Sequence, residues 1–305
     1  MEEAKYKKKK FEINKLKIIK REFLIKIIIN FILLIFSFLI NIIHYNKKLD
    51  ITNFIAYAQC LEDFILYCIL YDIVNGFYID VGANEPNDIS VTKSFYLKGW
   101  HGINIEPLPN MYQKLLKYRI RDINLNIGAS DKEESLILSV NGGCSSVNKK
   151  YLRANGKTIN IKAYPLSEIC KKYVPNGEEI QFCKIDVEGH EKNVLLGFNF
   201  KNYRPKVFCL ESVEPGSTIP DYKEWEYILI ENGYIFGYEY KVNRYYFDSK
   251  VDYISKRFLN LEKYINEYNE IQKKKKLNKS FFNLDLGLFK KRVEIFVKNF
   301  IIKHK

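Results

Sequence analysis

The sequence predicts an α/β protein with a doubly wound, mostly parallel sheet and helices on both of its faces. Two observations carry this reading. Short apolar runs rich in aromatic and β-branched residues, Phe77 to Val81, Gly102 to Ile105 and the run from Ile180, alternate with segments of helical pattern, as buried parallel strands and their crossovers do. An acid stands at or just past the end of each run, Asp80, Glu106 and Asp186, which gathers carboxylates where open parallel sheets hold their ligands. With 305 residues, 47% of them apolar, the chain has material for one large core with appendages.

In chain order, a helix is expected over 54–74, leading into the sheet, with Gln59, Glu62 and Asp63 on its solvated face. The stretch from Phe77 to Pro107 then reads as strand, turn, helix and strand. Asn75-Gly76 opens the first strand, and Gly82 and Ala83 follow it with almost no side chain, so that backbone can approach a ligand closely. The helix expected after the turn offers unpaired N–H groups near its start. Glu106 ends the second strand, where a carboxylate can accept both hydroxyls of a ribose. GxGxxG is absent, because positions 84 and 86 are Asn and Pro, so a pyrophosphate would have poor backbone access here. An acid just before the turn instead suits a ligand with a cationic end, which points to S-adenosylmethionine; a buried strand running into a tight turn is the plain alternative.

Asn110 to Tyr118 reads as the next helix, Asp122 to Ser130 as the third strand and Leu136 to Val140 as another. Gly142-Gly143-Cys144-Ser145-Ser146 reads as a plain loop, with a border to the ligand as the alternative. Ile180 to Glu211 repeats the strand, turn, helix, strand order, with Asp186, Glu188, His190 and Glu191 packed around Gly189 and Lys184 placed to orient or pair with Asp186. Trp225 to Asn232 reads as a late helix, and Tyr234 to Tyr240 with Tyr245 to Phe247 as a closing hairpin.

DVGAN at 80–84, GWHGINIEP at 99–107, KIDVEGHE at 184–191 and RP at 204–205 stand in the order that marks the FkbM family of S-adenosylmethionine-dependent methyltransferases, which the chain resembles over 55–248. YAQCLEDFIL upstream, and WEYILIENGY and NRYYF downstream, extend the likeness. The resemblance implies a class I, Rossmann-like methyltransferase fold with S-adenosylmethionine as cofactor. It implies a cofactor site made by Asp80, Gly82, Ala83, Asn84 and Glu106, with Gln59 and Asp63 beside it. The variant with NEP after the turn, SVTK next and NRYYF at the end is most similar to members associated with surface-polysaccharide synthesis.

The expected reaction moves a methyl group to a hydroxyl, on a sugar of a surface glycan or on a lipid or small molecule. It needs alignment and a base for the hydroxyl proton. Asp186, Glu188, His190 and Glu191 are the candidates, Asp186 or Glu188 being favoured. Close carboxylates also suit a divalent ion, but with no second ligand cluster evident no metal is expected. The competing class is a membrane-attached scaffold that keeps the fold without turnover.

Charge is uneven: +8 over 1–48, +9 over 249–305 and −4 between them, which divides the chain into a basic and hydrophobic arm, a catalytic domain over 49–248 and a basic helical extension. The basic arms argue for an anionic membrane surface; no nucleic-acid module is recognisable. The apolar run over 27–43 is 17 residues long, at the lower bound for spanning a bilayer. Glu22, Lys26, Asn30, Ser37, Asn41 and His44 fall on one stripe of that helix, so a spanning helix, an in-plane anchor and a helix packed in a protein core all remain open. The in-plane anchor keeps the catalytic domain cytoplasmic with its cofactor. A cleaved signal peptide is disfavoured, since no small-residue cleavage site follows. Beyond residue 250, Phe258, Leu261, Tyr264, Ile265, Tyr268 and Ile271 recur at helical spacing, Lys273 to Lys276 breaks the pattern, and Phe281 to Ile302 alternates apolar and basic residues. The six cysteines lack a CxxC pair, so they read as reduced and structural and not as a zinc site.

Overall fold

In the computed structural model, which describes residues 49–151 and 156–276, the apolar runs become strands that pair as neighbours. The order begins with β1 (Phe77–Val81), β2 (His101–Ile105) and β3 (Ile123–Leu125). β4 (Gly128–Ser130), β5 (Glu134–Ser139) and β6 (Thr158–Pro165) form a separate three-stranded sheet in the order β4-β6-β5. β7 (Ile180–Ile185), β8 (Val207–Glu211), β9 (Tyr234–Tyr240) and β10 (Asn243–Asp248) return to the first sheet. That sheet runs β3-β2-β1-β7-β8-β10-β9, parallel except for β10, which is antiparallel to both its neighbours. The chain is therefore an α/β fold with a mostly parallel central sheet. Its order turns back between β1 and β7, and the crevice at the carboxyl ends of those two strands is the switch point.

Helices cover both faces. Phe77, Ile79 and Val81 of β1 pack on one side with Leu166 and Ile169 of α4 (Leu166–Tyr173) and Val194 and Leu195 of α5 (Glu191–Leu196), as the two-residue strand period requires. Tyr78 points to the other side and stacks on Phe182 of β7 at 5.6 Å, and Phe182 meets Phe95 of α2 (Lys93–Leu97) at 4.9 Å. α1 (Glu62–Leu70), α3 (Pro109–Tyr118) and α6 (Glu226–Glu231) are the remaining α-helices of the region up to β10, followed by α7 (Asp252–Phe258) and a helix, α8, over 261–276.

Four expectations are corrected by local chemistry. The helix expected over 54–74 starts only at Glu62, because Leu61 sits in the left-handed region at φ 59° and the Asp63 carboxylate takes the Tyr57 N–H. No helix follows the Gly82 turn directly; α2 begins at Lys93, after a loop in which Pro86 lacks an N–H and Ile89 has φ 54°. Buried Arg119 holds that loop through the Pro86 carbonyl at 2.5 Å and the Ser90 hydroxyl at 2.8 Å. The strand expected over Asp122 to Ser130 is two strands in two sheets. Between them Asn126 Nδ2 donates to the Glu106 and Pro107 carbonyls at 2.9 and 3.0 Å, which carries the chain off the central sheet.

The last correction concerns Lys273 to Lys276, in the tail. Residues 252–276 pack on the same unit as the sheet: Phe258 stacks on Phe247 at 5.3 Å and Tyr268 on Phe64 at 4.1 Å, while Arg257 forks onto Asp72 at 2.7 and 2.6 Å. The helical spacing from Phe258 to Ile271 holds apart from a break at 259–260, and Lys273 to Lys276 remain helical. The arm over 1–48 with its polar stripe, and the segment from Phe281 to Ile302, lie outside the described residues. Among the described residues no helix is long and apolar enough to cross a membrane.

Asp63 now has a structural explanation that yields a pH dependence. It is fully buried and receives the Tyr57 N–H at 2.7 Å and the Ser94 hydroxyl at 2.8 Å. Burial pushes its carboxyl up to about 7, against the pull of those two donors. The folded protein then binds a proton the unfolded chain has already lost, so the stability this group contributes is present near pH 4 and falls as pH rises toward 7. Chemical denaturation should show wild type losing on the order of 2 kcal/mol more than Asp63→Asn between pH 5 and 8. Parallel pH profiles for the two proteins would remove this assignment.

Candidate active site

Sterics fix the turn after β1. At Gly82 φ is +78°, and an added Cβ would lie 1.9 Å from the Asp186 carbonyl oxygen, so a side chain there would collide with β7's extension. The Gly82 and Ala83 N–H groups both donate to the Ile105 carbonyl, at 3.0 and 3.2 Å, and the Asn84 N–H donates to Glu106 Oε2 at 2.7 Å. Every N–H of the turn is thus occupied. No cradle for a phosphate remains, in keeping with the missing GxGxxG pattern.

Glu106 is buried at the end of β2, one oxygen holding the Asn84 N–H and the other the Leu108 N–H at 2.7 Å. Burial raises its carboxyl above the usual range, and those two N–H groups oppose the rise. Each oxygen keeps a further lone pair, so the carboxylate is clamped in orientation without being saturated.

At the end of β7, Lys184 links the two central strands. Its Nζ donates to the Gly82 carbonyl at 2.7 Å and pairs with Asp80 and Asp186 at 3.4 Å each. Burial works against its charge, but Asp186 and Asp80 outweigh it and hold the ammonium well above its ordinary range. Glu188 follows at φ 55°, a strained conformation for a residue with a Cβ. It is kept there because its carbonyl accepts the Ser146 hydroxyl at 2.6 Å and the next carbonyl, that of Gly189, accepts Asn148 Nδ2 at 3.1 Å. Burial, then the charge of Asp186, push the Glu188 carboxyl up to about 7, with Lys184 and the Cys144 thiol pulling the other way. His190 places Nε2 3.2 Å from the Ser130 hydroxyl, and burial lowers its pKa.

These groups face one cavity, with about 850 Å³ of space including its open mouth. Gly82, Ala83, Asn84 and Glu106 line it on one side and Lys184, Asp186, Glu188 and His190 on another. Leu108, Leu136, Leu138, Val147 and Ile161 supply an apolar wall, so the space joins a greasy slot to an acidic end, the arrangement usual for a small-molecule site.

Seven of the residues picked out in the sequence therefore meet: Gly82, Ala83, Asn84, Glu106, Asp186, Glu188 and His190. Four sit elsewhere. Asp80 is 1% exposed behind Lys184, bonded to the Thr92 hydroxyl at 3.1 Å. Glu191 is turned back to the Val187 and Gly189 N–H groups at 2.9 and 3.3 Å, capping the loop it follows, which takes it out of reach as a base. Gln59 is exposed, and Asp63 serves the backbone at Tyr57. The loop from Gly142, read as plain, does border the cavity through Gly142, Gly143 and Ser145. Glu211 was missed: it ends β8 beside Asp186, and its place as the last residue of FCLE repeats the signal that marked Glu106.

The family model for the methyltransferase FkbM domain matches residues 80–236. No curated protein matches the chain. Among solved structures it is similar to methyltransferase FkbM from Methylobacillus flagellatus KT, at 17% identity with a TM-score of 0.38, over 57% of this chain and 43% of that one. The chain thus spans less than half of that protein. The match to the family model takes in the turn after β1, Glu106 and the whole acidic end of β7, and on it the chain belongs to the methyltransferase FkbM family.

Proposed function

We propose that the protein is a class I, Rossmann-like methyltransferase that uses S-adenosylmethionine to methylate a hydroxyl, on a sugar of a cell-surface polysaccharide. The observation that carries this reading is the cavity at the switch point, with Glu106 on one side and the Asp186 and Glu188 carboxylates on the other. The residues fit the cofactor: the turn has no free N–H for phosphate, its side chains are minimal, and an apolar wall leads to a carboxylate that keeps lone pairs for hydroxyls. S-adenosylmethionine, when bound, supplies a methyl group on a cationic sulfur. Gly82, Ala83, Asn84 and Glu106 would hold its adenosine half. Asp186 or Glu188 takes the proton from the acceptor hydroxyl, and Lys184 fixes Asp186 in place. The arm over 1–48, basic and then apolar, would keep the protein at a membrane surface with this domain in the cytoplasm, near a glycan or lipid-linked acceptor.

Calorimetry with S-adenosylmethionine tests the cofactor assignment. Losing a charged hydrogen bond costs about 1.5–3 kcal/mol, so Glu106→Ala should bind at least about tenfold more weakly than wild type. Equal affinity in the two proteins would withdraw Glu106 from the ribose. The acceptor is tested separately by mass spectrometry of cell-envelope glycans with and without the protein, where loss of a methyl increment names the sugar and unchanged spectra turn the search to lipids and small molecules.

A further inference from the structure

Glu211 changes the character of the acidic end. A carboxylate oxygen from each of Asp186, Glu188 and Glu211 lies within 4.8 Å of the other two, at the carboxyl ends of the adjacent parallel strands β7 and β8. Like charges at this range repel unless a proton or a cation stands among them; burial and the charge of Asp186 push the Glu211 carboxyl up to about 11, so without a cation it keeps a proton beside Asp186. Lys184 does not meet the need of all three: its ammonium is spent on the Gly82 carbonyl, Asp80 and Asp186. Among the described residues neither Glu188 nor Glu211 has an ion-pair partner.

Two carboxylate oxygens of the cluster also lack a hydrogen-bond donor. Glu188 is 8% exposed, yet its Oε2 is sealed from solvent and has no hydrogen-bond partner. Glu211 Oε2 is in the same position. A buried carboxylate oxygen without a donor is costly and rare, and two in one cluster call for a shared partner. The Cys144 thiol serves Glu188 alone and the proton between Glu211 and Asp186 serves that pair alone; a divalent ion reaches all three carboxylates and cancels the repulsion.

We propose that Asp186, Glu188 and Glu211 form a site for a hard divalent cation of the magnesium, manganese or calcium class. Three carboxylate oxygens and no nitrogen or sulfur are the donor set such ions take. Ligand oxygens around one ion are separated by at most twice the bond length, about 4 Å for magnesium and close to 5 Å for calcium, so 4.8 Å is within reach with little movement. Asp186 and Glu188 also line the cavity, which puts the ion at its wall with coordination positions left over. If the cavity takes a hydroxyl acceptor, as proposed above, an open position there binds its oxygen and makes the hydroxyl more acidic. The cation site itself rests only on the carboxylate geometry.

The test uses manganese as probe on the full chain, with bound and free ion separated by electron paramagnetic resonance and with magnesium and calcium as competitors. One manganese per chain should bind, displaced by either competitor. Glu188→Gln and Glu211→Gln should each weaken binding by at least about tenfold, since losing even an outer partner of a metal ligand commonly costs 10- to 100-fold. Thermal unfolding guards against misfolded variants: without metal neither variant should melt far below wild type, because Gln keeps the shape of the side chain and relieves the crowding of carboxylates, whereas manganese should raise the midpoint of wild type far more than theirs. Absence of binding, or equal binding in wild type and both variants, overturns the site. So does displacement of manganese by S-adenosylmethionine, which would make the cluster the seat of the cofactor's cationic end. Cofactor binding without manganese would leave the proposed function standing and remove this site, and manganese binding without cofactor would do the reverse.

Discussion

Replacing Glu188 with Gln is expected to lower methyl transfer by about 10²- to 10⁴-fold, the usual contribution of a positioned acid or base, while S-adenosylmethionine still binds. The argument is one of charge and place. Glu188 lines the cavity at the carboxyl end of β7, is held there by the Ser146 hydroxyl on its own carbonyl, and carries a sealed oxygen without a partner. Gln keeps the shape and removes the charge. Whether the carboxylate takes the acceptor's proton or holds a cation beside the acceptor, the reaction loses its sink. Asp186→Asn is the companion variant, since Asp186 shares the cavity and is tied to Lys184 at 3.4 Å. Rates are read under saturating cofactor, so that a change in binding does not pass for a change in chemistry. Wild-type rates in both variants would place the base elsewhere, with His190 the next group on the wall.

What could be read in the sequence was local. Glu106 declared itself because an acid closing an apolar strand needs no knowledge of any other strand, and the hairpin of β9 and β10 follows from its alternation and turn. What periodicity cannot reach involves partners distant along the chain. Periodicity placed Asp63 on a helix but says nothing about Ser94, whose hydroxyl it holds 31 residues away. The resemblance puts Asp80 in the cofactor site; pairing of β1 with β7 sets it opposite Lys184 in register, and the ammonium pairs with it at 3.4 Å. Glu211 joins the acids only because β8 lies next to β7. The apolar wall was hidden for a similar reason: Gly128 to Ser130 looks continuous with the strand before it, and only the exit at Asn126 starts the second sheet that covers the crevice.

Lys184→Met is expected to be the most destabilising single change at the site, by about 3–5 kcal/mol, the cost of breaking a buried ion pair from one side. Lys184 has a side chain 9% exposed, and Asp80, at 2%, has an Oδ1 with no hydrogen-bond partner beyond that ion pair. Methionine fills the space of the stem but leaves Asp80 charged in the sheet and the Gly82 carbonyl without its donor. Removing the charge on the other side as well should return much of the loss: in Asp80→Asn with Lys184→Met the stranded charge is gone, and replacing both members of a buried pair is often close to neutral. Urea unfolding of wild type, both single variants and the double variant gives the coupling directly. A loss below about 1 kcal/mol in Lys184→Met would show that the pair is solvated and worth no more than a surface bridge. A double variant as unstable as the sum of the singles would show that each residue acts alone. The cofactor should respond as well, because the same ammonium holds the carbonyl of the turn on which Ala83 and Asn84 depend; weaker S-adenosylmethionine binding in folded Lys184→Met would tie the central ion pair to the cavity it backs.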